Sequence, residues 1–143
     1  MERAEVERRL AVAKAAFLKL DYGLLQVAAH ERSMTARFSR HVQSEFPEWD
    51  VDCEYDMNGD VRKELRWPHT ENKPKLVIPD IIVHRQGTPN NLLAIEAKKS
   101  GNDNASDRAK LIRFMVDEAY RYRYAALLLF VTGPQHNIEI ELL

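Results

Sequence analysis

Leu76-Val77-Ile78-Pro79-Asp80-Ile81-Ile82-Val83-His84 and, after a short polar segment, Leu92-Leu93-Ala94-Ile95-Glu96-Ala97-Lys98 are two apolar runs of strand length with charges set inside them. A charge among so many apolar neighbours is costly unless it is paired, hydrogen-bonded or on a metal. The segment between the runs, Arg85-Gln86-Gly87-Thr88-Pro89-Asn90-Asn91, is rich in turn residues and reads as a hairpin loop. Centring the hairpin on Thr88 sets Asp80 opposite Glu96 on one face. Glu96 and Lys98, two apart on a strand, face the same way, with Ala97 opposite. A slip of one residue would send Asp80 to the other face, so the site depends on register.

Working outward, residues 1–20 read as a helix rich in Ala, Leu, Glu, Lys and Arg, with Leu10, Ala13, Phe17 and Leu20 at helical spacing. That stripe suits an accessory arm or a dimer contact, with packing onto its own domain as the competing reading. Asp21-Tyr22-Gly23 breaks the helix, and a second is expected from about Leu24 to Phe46, ended by Pro47. Its stripe is Val27, Glu31, Met34, Phe38, Val42 and Phe46, an apolar face interrupted by Glu31. Trp49 to Tyr55 alternates as a half-buried strand, Asn58-Gly59 marks a turn, and Val61–Trp67 is a candidate partner strand. Pro68–Pro74 and Ser100–Ser106 read as polar loops. A helix over Ala105–Ala119 is expected to carry Arg108, Leu111, Ile112, Met115 and Ala119 on one side. Tyr124–Val131 reads as a buried strand, and Asn137–Leu143 as a last one. Near-continuous apolar strands imply a sheet covered on both faces. The expected fold class is therefore α/β, a central mixed sheet flanked by helices in a single domain over 1–143, with 1–22 as a helical extension and 24–131 as the core.

The 143 residues suffice for one domain with a real core. No apolar run approaches the roughly 18 residues of a membrane span, and the charged Met1-Glu2-Arg3-Ala4-Glu5 lacks a signal-peptide core, so a cytoplasmic protein with no membrane partner is expected. Cys53 is the only cysteine, which excludes an internal disulfide and argues against cysteine-based zinc; it reads as a small buried hydrophobe. The net charge of −1 is not that of a protein that coats nucleic acid. Its distribution is uneven: seven acids and no Lys or Arg from Glu45 to Asp60, against seven Lys or Arg and four acids from Lys98 to Arg123. A phosphate-binding face would come from the second region, where Lys99, Lys110, Arg113, Arg121 and Arg123 are the candidates. Each has a plainer reading as a solvated charge on the outer side of its element.

The order of elements, with Pro79-Asp80 on the second of three consecutive strands and Glu96-Ala97-Lys98 on the third, resembles the PD-(D/E)xK nuclease superfamily, the restriction-endonuclease-like fold. The wording Phe46-Pro47-Glu48-Trp49-Asp50-Val51-Asp52-Cys53-Glu54-Tyr55, Pro79-Asp80-Ile81-Ile82-Val83-His84 and Ile95-Glu96-Ala97-Lys98-Lys99-Ser100 is similar to that of a group of small bacterial proteins within it. The resemblance covers roughly Leu24 to Val131. It implies a metal-dependent phosphodiesterase, most often acting on DNA in phage defence, repair or mobile-element biology. It further implies that Asp80 and Glu96 hold magnesium or manganese, that Lys98 activates water or stabilises charge, and that a glutamate on the first core helix joins them; Glu31 stands where that residue would be.

The residues themselves suit this chemistry. Phosphodiester cleavage needs a nucleophile, stabilisation of a pentavalent anion and a stabilised leaving oxygen, and magnesium held by two or three carboxylates contributes to all three. Asp80 and Glu96, with the Ala97 carbonyl, could hold one ion, with Lys98 beside it. The plainer alternative is a buried Glu–Lys pair that satisfies itself. His30 and His41 are too far apart on one helix to share a metal, and His84 is given a surface role. Tyr120, Tyr122 and Tyr124 alternate with Arg121 and Arg123, as a base-stacking edge or a packed junction. Two further functions stay open: an RNA or single-strand nuclease of the same mechanism, and an inactive nucleic-acid-binding or scaffold subunit. A homodimer is expected for cutting both strands of a duplex, since a two-fold axis matches duplex symmetry.

Overall fold

The computed structural model of the chain describes residues 1–53, 57–58, 61–62, 65–67, 75–101 and 104–143. Helix α1 (Arg3–Leu20) is followed by a single turn, α2 (Tyr22–Gln26), and by α3 (Glu31–Glu45). Strand β1 (Asp50–Cys53) leads into two short ribbons, β2 (Met57–Asn58) with β3 (Val61–Arg62) and β4 (Leu65–Trp67) with β5 (Lys75–Val77). Then come β6 (Ile81–His84), β7 (Asn91–Lys99), α4 (Ala105–Val116), β8 (Tyr124–Val131) and β9 (Asn137–Leu142). Tyr55, Gly59 and the expected Pro68–Pro74 loop lie outside the described residues.

The main sheet has the order β1-β6-β7-β8-β9. Strands β1, β6 and β7 form an antiparallel meander, β8 runs parallel to β7, and β9 returns antiparallel. A parallel neighbour cannot follow through a tight turn, and α4 supplies the crossover. The β6–β7 hairpin has the register that centring on Thr88 requires: Ile81 faces Ile95, Ile82 faces Ala94 and Val83 faces Leu93. The turn is tied by the Thr88 hydroxyl, which donates to Arg85 O at 2.7 Å and accepts from Asn90 N at 3.1 Å. Gly87, at φ +70°, supplies the left-handed residue the turn needs. A register shift between Val83 and His84 ends the regular ladder.

Two apolar layers cover the sheet, as its continuous strands require. On one face Ile81, Val83, Leu93, Ile95, Ala97, Ala126, Leu128 and Phe130 pack under α1 and α3. On the other, Ile82, Ala94, Ala125 and Leu127 pack under α4 through Leu111 and Phe114, closed by Tyr120 and Tyr122. The protein is thus an α/β fold, with N-terminal helices followed by a five-stranded mixed sheet carrying a helix on its other face.

Several expectations need correction. The stripe of α1 is not an outer contact surface: Val6, Leu10, Ala13 and Phe17 are buried in the core, where the Phe17 ring meets those of Phe38 and Phe130, and only Leu20 is exposed. The second helix does not start at Leu24. Ala28 takes the left-handed conformation, φ +49°, which no L-residue can propagate, so α3 begins at Glu31 and Val27 is exposed. The apolar run before His84 is split at Pro79-Asp80 into β5 and β6, since proline has no N–H to donate to a ladder. In α4 the buried residues are Leu111 and Phe114, whereas Ile112 is exposed. His84 is fully buried: its Nε2 pairs with Asp52 Oδ2 at 2.6 Å, and Gln86 Nε2 donates to the same oxygen. Cys53 is exposed rather than buried.

Candidate active site

Strand polarity gathers one set of chain ends. Antiparallel pairing of β1 with β6 and of β6 with β7 brings the C-termini of β1 and β7 and the N-terminus of β6 to a single end of the sheet. There Glu96, Ala97, Lys98 and Lys99 end β7, and Asp80 stands just before β6. Glu31 begins α3 on one side of the sheet, and Asp107 lies in the first turn of α4 on the other.

Asp80 sits at a bend, and its Oδ2 accepts the backbone N–H of Ala97 at 2.8 Å. That bond ties the residue before one strand to the residue after Glu96 on the next, and so places Asp80 beside Glu96. Strand alternation sends Glu96 and Lys98 to the α4 side. Burial and, next, the charge of Asp80 push the Glu96 carboxyl up to about 8; Lys110 works against this, while Asp107 and Glu31 add to it. Two close carboxylates in a site sheltered from water favour a shared proton or a bound cation.

Lys98 Nζ donates to Asp107 Oδ2 at 2.7 Å, with both side chains largely buried. Burial pushes the Asp107 carboxyl up, but the hydrogen bond from Lys98 and the charge of Lys110 outweigh it and hold the group below the usual carboxylate range. Lys110, expected to meet phosphates from the outer side of its helix, instead turns into the site, 3.3 Å from Asp107 Oδ1 and 3.7 Å from Glu96 Oε1.

On the α3 side, Glu31 Oε2 accepts the backbone N–H of Lys99 at 3.2 Å, and Lys99 Nζ donates to the carbonyl of Ala28 at 3.2 Å. Glu31 and Asp80 line a cleft of about 460 Å³ together with Arg32, Thr35, Ala36 and Cys53. Of the expected site residues, Glu31 and Asp80 line this cleft, Ala97 is tied to Asp80 through its N–H, and Glu96 and Lys98 stand at the same sheet end on the α4 side.

The other basic candidates are not all brought there. Arg121 and Arg123 precede Tyr124, which pairs with Leu93 at the opposite end of the sheet. Arg121 lies 3.4 Å from Glu118, while Arg123 is 4.0 Å from Glu2 and covers the Tyr124 ring. Arg113 lies further along α4, near its end. Asp107 was missed in the sequence because an acid in a first helical turn reads as a dipole partner. Only the return of α4 over β7 makes it a partner of Lys98.

The oxygen donors here are of the kind a hard divalent cation takes, and magnesium or manganese suits them by chemistry. Among the described residues no three His, Cys, Asp or Glu side chains stand ready as a ligand cluster. Asp80 and Glu96 form the pair, Glu31 is drawn to the Lys99 N–H, and Asp107 is held by lysines. No protein family, curated protein or solved structure matches this chain.

Proposed function

We propose that the protein is a magnesium- or manganese-dependent endonuclease that hydrolyses phosphodiester bonds of DNA, on a restriction-endonuclease-like core. The observation that carries this reading is the junction of Asp80 with Ala97, which sets two carboxylates together with Lys98 on the same strand end. Asp80 and Glu96 would hold the cation, with Glu31 and the Ala97 carbonyl as further donors. When bound, it supplies Lewis-acid polarisation of the phosphate and neutralisation of the leaving oxygen. Lys98, hydrogen-bonded to Asp107, offers a positive charge to the developing phosphorane. Arg32 and Thr35 line the cleft beside Glu31 and Asp80 and are suited to orient a phosphate there.

Labelled DNA and RNA, single- and double-stranded, incubated with magnesium, manganese or chelator, test the reading. Cleavage of DNA is expected only with metal, and Lys98→Ala and Glu96→Gln should each reduce it by at least about 100-fold while keeping the fold. Preferential cleavage of RNA or of single strands would move the substrate class and keep the mechanism. Metal binding without cleavage of any nucleic acid would replace the nuclease by a binding or scaffold subunit. Wild-type turnover in Lys98→Ala would make that lysine structural.

A further inference from the structure

Asp107 stands between two ammonium groups from different elements. Lys98 of β7 donates to its Oδ2 at 2.7 Å, and Lys110 of α4 lies 3.3 Å from its Oδ1. The same Lys110 ammonium is 3.7 Å from Glu96 Oε1, so it is shared between two carboxylates and lies closer to Asp107. The four side chains are only 15–21% exposed, where charge pairs are screened less than on open surface.

We propose that Asp107 is a positioning residue that holds Lys98 and draws Lys110 off Glu96, leaving the Glu96 carboxylate open to a divalent cation. This rests on the metal reading above. An ammonium and a metal ion compete for the same carboxylate oxygens. The four-carbon stem of Lys110 is flexible enough to serve either acid, so the distribution of negative charge around it decides which one it serves. With Asp107 neutralised, the carboxylate left paired with Lys110 among the described residues is Glu96, and the lysine becomes an internal counter-ion in the place the cation needs. Asp107 contributes no ligand in this scheme; it acts by occupying the competitor.

Calorimetric titration of the full chain with Mn²⁺ alone tests this in a cycle of wild type, Asp107→Asn, Lys110→Met and the double variant. Asp107→Asn should weaken Mn²⁺ binding by about tenfold. Lys110→Met should tighten it by about twofold in the wild-type background but by about tenfold or more when Asp107 is already neutralised, because Lys110, shared between the two acids in the wild type, then turns wholly to Glu96. Loss of a nearby charge acting through space alone would give additive changes, and additivity overturns the positioning role. Circular dichroism and melting check the fold of each variant, and Asp107→Ser takes the place of Asp107→Asn in the same cycle if the latter unfolds. A wild-type chain that binds no Mn²⁺ overturns this proposal together with the cation reading. Binding by wild type with an additive cycle overturns this proposal alone.

Discussion

Glu96 has the most consequential protonation equilibrium among the described residues. An ordinary glutamate titrates near 4.5, whereas burial and the neighbouring Asp80 raise this one to about 8. The folded chain therefore holds a proton that the unfolded chain has released between those two values. Proton linkage then makes stability fall as pH rises through that window, by at most about 1.4 kcal/mol per pH unit. In chelator the melting temperature should decline from about pH 5 to pH 8. Glu96→Gln should flatten that decline and be the more stable protein at the alkaline end. Thermal melts across pH check this, and a wild-type profile as flat as that of the variant would show that Glu96 titrates normally. Magnesium or manganese should restore the wild-type protein at pH 8 if the cation takes the place of the proton. Asp107 runs the other way: its lowered value stabilises the fold above the usual carboxylate range, and this is lost as pH falls through the folded value.

At the scale of elements, the hairpin was legible because it obeys a period of two. Once the turn was centred on Thr88, Ile81–Ile95 pairing and the approach of Asp80 to Glu96 followed by counting. The helices were less legible because a period of 3.6 leaves the phase of a short apolar stripe open. In α4, Leu111 and Met115 face the second core as the sequence suggested, but the helix phase leaves open whether Ile112 or Phe114 joins them, and the position of the sheet selects Phe114. The start of α3 was hidden for another reason: Ala28 is a good helix former, and its left-handed backbone is imposed by its surroundings rather than by its side chain. The selection in α4 is measurable. Phe114 is buried against the edges of the Tyr120 and Tyr122 rings, so Phe114→Ala should cost about 3–5 kcal/mol. Ile112→Ala, on the outer side, should stay within about 0.5 kcal/mol. Denaturant titration of both variants checks the order, and a reversed order would restore the stripe first read from the sequence.

For the whole molecule, the decisive placement is that of α1. Its apolar stripe could cover its own domain or meet a second copy, and periodicity cannot distinguish these because both bury the same residues. The core distinguishes them: Phe17 is fully buried, 6.1 Å from the Phe38 ring and 5.9 Å from that of Phe130, so α1 is part of the layer that holds α3 on the sheet. Since α3 carries Glu31 to the sheet end, α1 supports the candidate site from behind. Among the described residues no helix is long and apolar enough to cross a membrane. Phe17→Ala should therefore cost about 3–5 kcal/mol and lower the melting temperature at every protein concentration. Leu20→Glu, at a position 69% exposed, should change stability by less than about 0.5 kcal/mol. Light scattering beside the melts completes the test. If α1 serves only its own domain, neither substitution alters the mass of the folded protein, and any homodimer that cuts duplex DNA must pair through another surface. A folded Leu20→Glu protein with half the wild-type mass would instead put the exposed end of α1 in a subunit interface, with Phe17 anchoring that end from inside.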